Sequence, residues 1–210
     1  MNTGRFVLSQ VLDMVHRQTI DRLVCRYNAE SRVRHFGCRQ QLICMVFAQL
    51  TWRESLRDIE DCLNARVEAL YHLGFTKPIA RSTLAEANES RDWRLWRDLA
   101  LGLVARARPL YADEDLGLEL SNAIYALDST TIDLSLTLFG WADFRSTKAG
   151  IKLHTQLDLR GPIPTVIDIT PARMHDVLWL DQLHFEAGAF YVIDRGYVDF
   201  TRLARLAGAG

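Results

Sequence analysis

Apolar positions in this chain change their spacing near the middle, from helical in the first half to alternating in the second. Phe6, Val7, Val11, Met14 and Val15 recur at three- and four-residue intervals, as one face of a helix requires. Thr19 begins a second helical stretch, and Gln40 to Gln49 is apolar enough for a buried helix. Within Thr51 to Leu63, the positions Ser55, Leu56, Ile59 and Leu63 are spaced for one face. Ser82 and Thr83 precede an apolar run, with Glu86 three residues after Thr83, which is a capping-box arrangement. The helix it opens is expected to continue through Trp93, Trp96, Leu99 and Leu103 and to end near Pro109. After Asp113 the grammar is that of strands. Ala123 to Asp128 is an apolar run ending on an acid, and Thr131 to Leu138 alternates and is expected to pair with it. Ile151 to Leu159 has period two, and Arg160-Gly-Pro162 turns it into Ile163 to Thr170. Asp176 to Ala187 is expected to be a helix. Phe190 to Asp194 is a second apolar run ending on an acid, and Val198 to Ala207 is a last helix. Strands, helix, strand, helix is an α/β order. The expected architecture is therefore a helical N-terminal domain, 1–118, followed by an α/β domain, 119–210.

Composition leaves this picture in place and adds an asymmetry. With 210 residues, 49% of them hydrophobic, and a net charge of −1, the chain can bury one large or two modest cores and is not a disordered sequence. Residues 1–57 carry nine arginines and no lysine against four acids, a surplus of five positive charges. Residues 119–210 carry eight basic groups against eleven acids, a deficit of three. A basic front half suits a polyanion, although a solvated helix face also explains arginines. An acidic α/β half suits carboxylates gathered around a divalent cation. Cys25, Cys38, Cys44 and Cys62 form no C-x-x-C pair and read as reduced thiols. There is no membrane-length apolar run and no secretory signal pattern, so a cytoplasmic location is expected.

The candidate chemistry sits at two strand ends of the same design. Ile124-Tyr-Ala-Leu-Asp128 is followed by Ser-Thr, and Tyr191-Val-Ile-Asp194 by Arg-Gly-Tyr. An aspartate just past a buried strand is rigidly held with its oxygens facing solvent. If the two strands are neighbours, the carboxylates converge as ligands for Mg²⁺ must, and two-metal phosphoryl chemistry needs such hard oxygens. Either aspartate alone reads as a turn cap. Together, in an acidic domain behind a basic one, they point to catalysis.

These segments carry a resemblance. Leu127-Asp128-Ser-Thr130, then Lys148-Ala-Gly-Ile-Lys-Leu-His154, then Asp194-Arg-Gly-Tyr197 resemble the DDE transposases of the bacterial insertion sequence 4 family. Phe36-Gly-Cys-Arg-Gln-Gln-Leu42 and Ser55-Leu-Arg-Asp-Ile59 are similar to segments of that family's helical N-terminal domain. The resemblance implies an incomplete RNase H-like mixed sheet with flanking helices, in which Asp128 and Asp194 are the first two acids of the catalytic triad and ligands of Mg²⁺, for which Mn²⁺ can substitute. It further implies binding to double-stranded DNA at terminal inverted repeats, a homo-oligomer on that DNA, and cutting and joining of strands. The family's third acid is the Glu of a Tyr-x-x-Arg-x-x-x-Glu motif, and no tyrosine here is followed by that pattern. The chain therefore reads as a truncated transposase, whether a broken gene, a frameshifted first frame or a fragment, and as inactive alone.

Two other readings compete. One is a DNA-binding remnant without catalysis that regulates transposition. The other is an RNase H-like nuclease completed by a substitute acid such as Glu186. The DNA-contact candidates are Arg32, Arg34 and Arg39 around His35 and Phe36, and Arg195 beside the second aspartate. Lys148 and Lys152 read equally as phosphate contacts or as lysines that guard a sheet edge. Asp133, Asp158 and Asp168 read as solvent-facing, Asp176 as a helix-start acid, His154 as a structural histidine beneath the sheet, and Trp93 and Trp96 as core.

Overall fold

The helical periodicity of the first half is realised as short, separately capped helices. The computed structural model describes residues 6–111, 117, 122–134, 143–145 and 148–208. The chain divides into two units, Met1–Leu103 and Val104–Gly210. The first holds α1 (Val7–Leu12), α2 (Arg17–Tyr27), α3 (Cys38–Leu50), α4 (Leu56–Asn64), α5 (Val67–His72), α6 (Arg81–Ser90) and most of α7 (Trp93–Ala107). Ser55 caps α4 by accepting the Asp58 N–H at 3.1 Å, which satisfies an orphan donor of the first turn. The box expected at Thr83 does not form. Helix α6 begins earlier, at Arg81, whose N–H is taken at 3.0 Å by the Glu60 carboxylate of α4.

The single helix expected from Thr83 to Pro109 is broken between α6 and α7. Arg91 ends α6, and its guanidinium reaches back to the carbonyls of Phe36 and Gly37 and, at 2.6 Å, to the Gln41 side chain. Asp92 then takes the Arg94 N–H at 2.9 Å and starts α7. A long-range polar contact overrides local propensity here. The unit has two apolar clusters, one around Ile43, Cys44, Ile59 and Leu84 and the other around Ile20, Cys38, Leu95 and Leu99. Burial pushes the Cys38 thiol up to about 11 and that of Cys44 to about 12, so both are inert fillers. The tryptophan pair separates: Trp96 packs on the second cluster, but Trp93 is 60% exposed under the Arg97 guanidinium.

The second unit is built on a mixed sheet, as the alternating pattern requires. Its strands are β1 (Ile124–Leu134), β2 (Asp143–Arg145), β3 (Lys148–Asp158), β4 (Ile163–Pro171) and β5 (Phe190–Ile193). Strand β3 pairs antiparallel with β1 on one side and with β2 and β4 on the other. Strand β5 lies beside β1 in parallel. This α/β order, with helices flanking a mixed sheet behind an all-helical segment, agrees with the RNase H-like expectation. Two expectations change. Residues 124–134 form one strand, not a hairpin, because β3 pairs with β1 from Tyr125 to Leu134; positions 135–138 of the expected second strand lie outside the described residues. The helix expected over Asp176 to Ala187 is a single turn, α8 (Asp176–Trp179), followed by a 3-10 turn, Leu180–Gln182. Beyond it Tyr191 holds the chain off the helical path, accepting the Glu186 N–H at 2.8 Å while Phe185 packs edge-on against its ring. Helix α9 (Phe200–Gly208) ends the described chain.

His154 lies under the sheet, fully buried, with Nε2 at 2.8 Å from Thr170 Oγ1 and its ring stacked on Trp179 at 4.8 Å. Burial pushes its imidazole below the ordinary pKa, against an opposing pull from Asp176. The unfolded chain takes up this proton near pH 6.5. The stability it supports is thus fully present above about pH 6.5 and is lost as pH falls from there toward the lower folded value. Urea unfolding should show stability declining between pH 7.5 and 5.5 by at most about 1.4 kcal/mol per pH unit from this group. His154→Gln should flatten that dependence.

Candidate active site

Strand pairing decides whether the two strand-end aspartates meet. In the parallel β1–β5 ladder, Ile124 is level with Phe190 and Leu127 with Ile193. Asp128 and Asp194 are the next residue on each strand, so they stand side by side at the end of the ladder, with strand axes roughly 4.8 Å apart. Both are exposed. Strand β1 runs on past Asp128 because β3 continues to pair with it, whereas β5 stops and Asp194 caps the 3-10 turn Arg195–Tyr197 by accepting the Gly196 N–H at 2.7 Å. The turn-cap reading of Asp194 and the site reading are therefore compatible. One oxygen holds the backbone, and the carboxylate keeps acceptor capacity for another ligand.

A third carboxylate is nearby, and sequence reasoning placed it elsewhere. Asp176 does start α8, as expected for a helix-start acid. Its Oδ1, however, accepts the Ser129 hydroxyl at 2.9 Å and pairs with Lys152 Nζ at 3.0 Å. A Cβ built on Gly196 would meet Asp194 Oδ1 at 3.0 Å and Asp176 Oδ2 at 3.5 Å, so these two carboxylates border one small space that a side chain would fill. Tyr197, 1% exposed, completes the surroundings. Burial raises its phenol to about 12, and the charges of Asp176, Asp128 and Asp194 all act in the same direction. The Ser129 hydroxyl offsets part of this shift but does not meet Tyr197 in hydrogen-bond geometry. The phenol oxygen is buried without a partner among the described residues.

The other acids do not join this cluster. Glu186 accepts the Tyr125 hydroxyl at 2.7 Å. Tyr125 is three strand residues before Asp128, and Glu186 forms no three-residue metal-binding group with the two aspartates among the described residues. Asp158 is not solvent-facing but buried, paired with Arg108 and Arg160 at 3.7 and 3.6 Å. Asp168 accepts the Trp179 indole N–H at 3.2 Å. Lys152 is neither an edge guard nor a free cation, since β3 is paired on both sides and its ammonium also donates to the Met174 carbonyl at 2.8 Å. The Lys148 side chain lies outside what is described. Arg195 is exposed in the turn beside Asp194.

In the N-terminal unit a groove of about 700 Å³ runs between the loop before α3 and the loop before α6. Arg32, Arg34, His35 and Lys77 line it, all exposed. Arg32 sits in the left-handed region at φ 68°, which turns the loop outward. Arg39 is on the first turn of α3, half-buried and outside this lining. Lys77 was missed in the sequence because it is forty-odd residues from the arginine cluster, and no local signal joins them.

Two carboxylates at level positions on neighbouring strands are hard oxygen donors of the kind a divalent cation takes. Among the described residues no group of three or more His, Cys, Asp or Glu side chains is arranged to hold a metal ion. The rest of a coordination sphere on Asp128 and Asp194 would have to come from water, substrate or another acid. Among the described residues no helix is long and apolar enough to cross a membrane.

Residues 120–210 match the family described as the transposase DDE domain. Residues 3–76 match a domain of unknown function, DUF4372. A protein of Sinorhizobium fredii (strain NBRC 101917 / NGR234), named "Putative transposase y4zB", is 31% identical over 117 residues. That stretch covers 56% of this chain and 31% of the relative, so the chain matches about a third of the relative's length. No solved structure matches. Over residues 120–210 this chain is similar to the transposase DDE domain.

Proposed function

We propose that this chain carries the first two acids of an insertion-sequence transposase of the insertion sequence 4 kind. The reading rests above all on the parallel register that sets Asp128 beside Asp194. The substrate is double-stranded DNA at terminal inverted repeats, cut and rejoined in the cytoplasm by a homo-oligomer. The two carboxylates hold Mg²⁺, or Mn²⁺ in its place. When bound, such ions activate the attacking water or 3′-hydroxyl and steady the leaving oxygen. The protein's own work is positional. Strand pairing fixes the backbone of Asp128, the turn Arg195–Tyr197 fixes that of Asp194, whose carboxylate the Gly196 N–H orients, and Arg195 would face a phosphate. Without the Tyr-x-x-Arg-x-x-x-Glu motif, these 210 residues alone are inactive. The test is Mg²⁺-dependent nicking of terminal-repeat DNA. It should be absent with the 210-residue chain and present once a segment bearing that motif is fused to it. Nicking by the chain alone would overturn the assignment of a missing third acid.

A second reading, a DNA-binding remnant that regulates transposition, is favoured by the cationic groove. In it Arg32, Arg34 and Lys77 meet backbone phosphates, with Arg39 as a flanking contact. Each phosphate contact contributes about 0.9 to the slope of log affinity against log salt. Changing Arg32, Arg34 and Lys77 together to alanine should lower that slope by roughly 2 to 3 in gel-shift titrations. An unchanged slope would remove the groove from the DNA interface.

A further inference from the structure

One ion pair lies against the candidate site without belonging to the ligand pair. Asp176 touches the surroundings of Asp194. It takes the hydroxyl of Ser129, whose side chain leaves β1 on the face opposite to Asp128, and its second oxygen borders the space above Gly196, which itself orients Asp194. Its chain position is fixed from three sides. Trp179, one turn on, is buried in the core of the unit, Leu180 packs beside it, and Lys152 from the central strand β3 binds both Asp176 and the Met174 carbonyl just before α8. A group fixed so firmly can fix others. The side chains of Lys152 and Asp176 are only 15% and 23% exposed, so the pair is shielded more than a surface bridge. Nearby, the Tyr197 phenol oxygen is buried with no hydrogen-bond partner among the described residues.

We propose that Asp176, neutralised and held by Lys152, is a positioning residue that fixes the turn after β5 and with it holds Asp194 in cation-binding geometry beside Asp128. The inference rests on the metal-ligand reading of that pair. Asp176 is not itself a ligand here. Its Oδ1 is committed to an ammonium and a hydroxyl, and it forms no three-residue metal cluster with its neighbours among the described residues. Pairing with Lys152 lets it order the turn that carries Asp194 without placing an uncompensated third charge beside the pair.

This role and simple charge attraction predict opposite signs, which makes the test sharp. Terbium(III) is the probe, its luminescence excited through tyrosine, in titrations of the 210-residue chain with folding checked by circular dichroism. Asp176→Ala should weaken terbium uptake about 10-fold or more. Asp176→Asn, which keeps an oxygen for the Ser129 hydroxyl, should retain most of the affinity. Lys152→Met should weaken uptake, although removing a positive charge would by Coulomb attraction alone strengthen it. Tighter or unchanged binding in Lys152→Met, or an Asp176→Asn variant as weak as Asp176→Ala, overturns the proposal. If Asp176→Ala does not fold, the other two variants still decide. Asp128→Ala and Asp194→Ala separate the two levels. Uptake lost in them but untouched at 152 and 176 sinks only the positioning role. Uptake that survives in them removes the metal reading of the pair and this inference with it.

Discussion

Replacing Asp128 or Asp194 by asparagine, in a fusion of this chain to a segment bearing the Tyr-x-x-Arg-x-x-x-Glu motif, is expected to lower Mg²⁺-dependent nicking by about 10³-fold or more. A bound divalent ion contributes several kcal/mol of transition-state charge stabilisation, and each 1.36 kcal/mol is a factor of ten in rate. Asparagine keeps the size of the side chain but supplies a neutral oxygen, so the ion is held weakly and the fold is kept. At Asp194 the amide oxygen can still accept the Gly196 N–H, which now stands at 2.7 Å from the carboxylate, so the turn should survive. The two residues border one site, and the double variant should be little worse than either single one. Binding of terminal-repeat DNA, measured by gel shift without metal, should stay within a few-fold of the parent. Nicking that persists in either variant would remove that residue from the catalytic set.

The second large effect is on stability. Trp179→Ala is expected to cost the C-terminal unit about 3–5 kcal/mol, the usual range for removing a buried aromatic. Trp179 is 1% exposed, stacks on His154 and donates its indole N–H to Asp168, so truncation leaves a cavity and two unpaired neighbours. For a unit of this size that is a fall in melting temperature of roughly 15 °C or more, readable by circular dichroism. Trp179→Phe should recover most of it, since the ring stack is kept and only the indole donor is lost. Trp179 ends the short helix that Asp176 begins, so the alanine variant should also weaken terbium uptake at temperatures where it remains folded. A melting temperature unchanged in Trp179→Ala would contradict the burial described here.

What was legible beforehand divides along physical lines. The change from helical to alternating spacing announced helices before strands because burial on one side imposes its period on any sequence. Asp128 and Asp194 were legible because each follows an apolar run that reads as a strand; Asp194 does end β5, whereas β1 runs on past Asp128 because β3 keeps pairing with it. Their adjacency was only conditional. It depends on β5 pairing with β1 in parallel and in this register, and hydrogen-bond ladders between residues sixty-odd positions apart leave no local mark. Asp176 shows the same limit. Local rules read it correctly as the start of a helix, yet its partners Ser129 and Lys152 come from two different strands. The shortening of its helix was hidden too, because Tyr191 draws residues 185 and 186 out of the helical path from a later strand. Arg91 ends α6 for a similar reason, reaching carbonyls fifty-odd residues back.

The sequence by itself therefore determined the passage from helices to strands, the basic front and acidic back, and the two aspartates that follow apolar runs, since all of these follow from residue type and local period. Only the tertiary structure decided that the two acids stand level with each other, that β1 continues past Asp128, that Glu186 is taken up by Tyr125, and that Asp176 with Lys152 lies beside the turn of Asp194. Those facts depend on which strands pair and in which register. Pairing is set by the summed burial and hydrogen bonding of the whole sheet, a quantity no single segment contains.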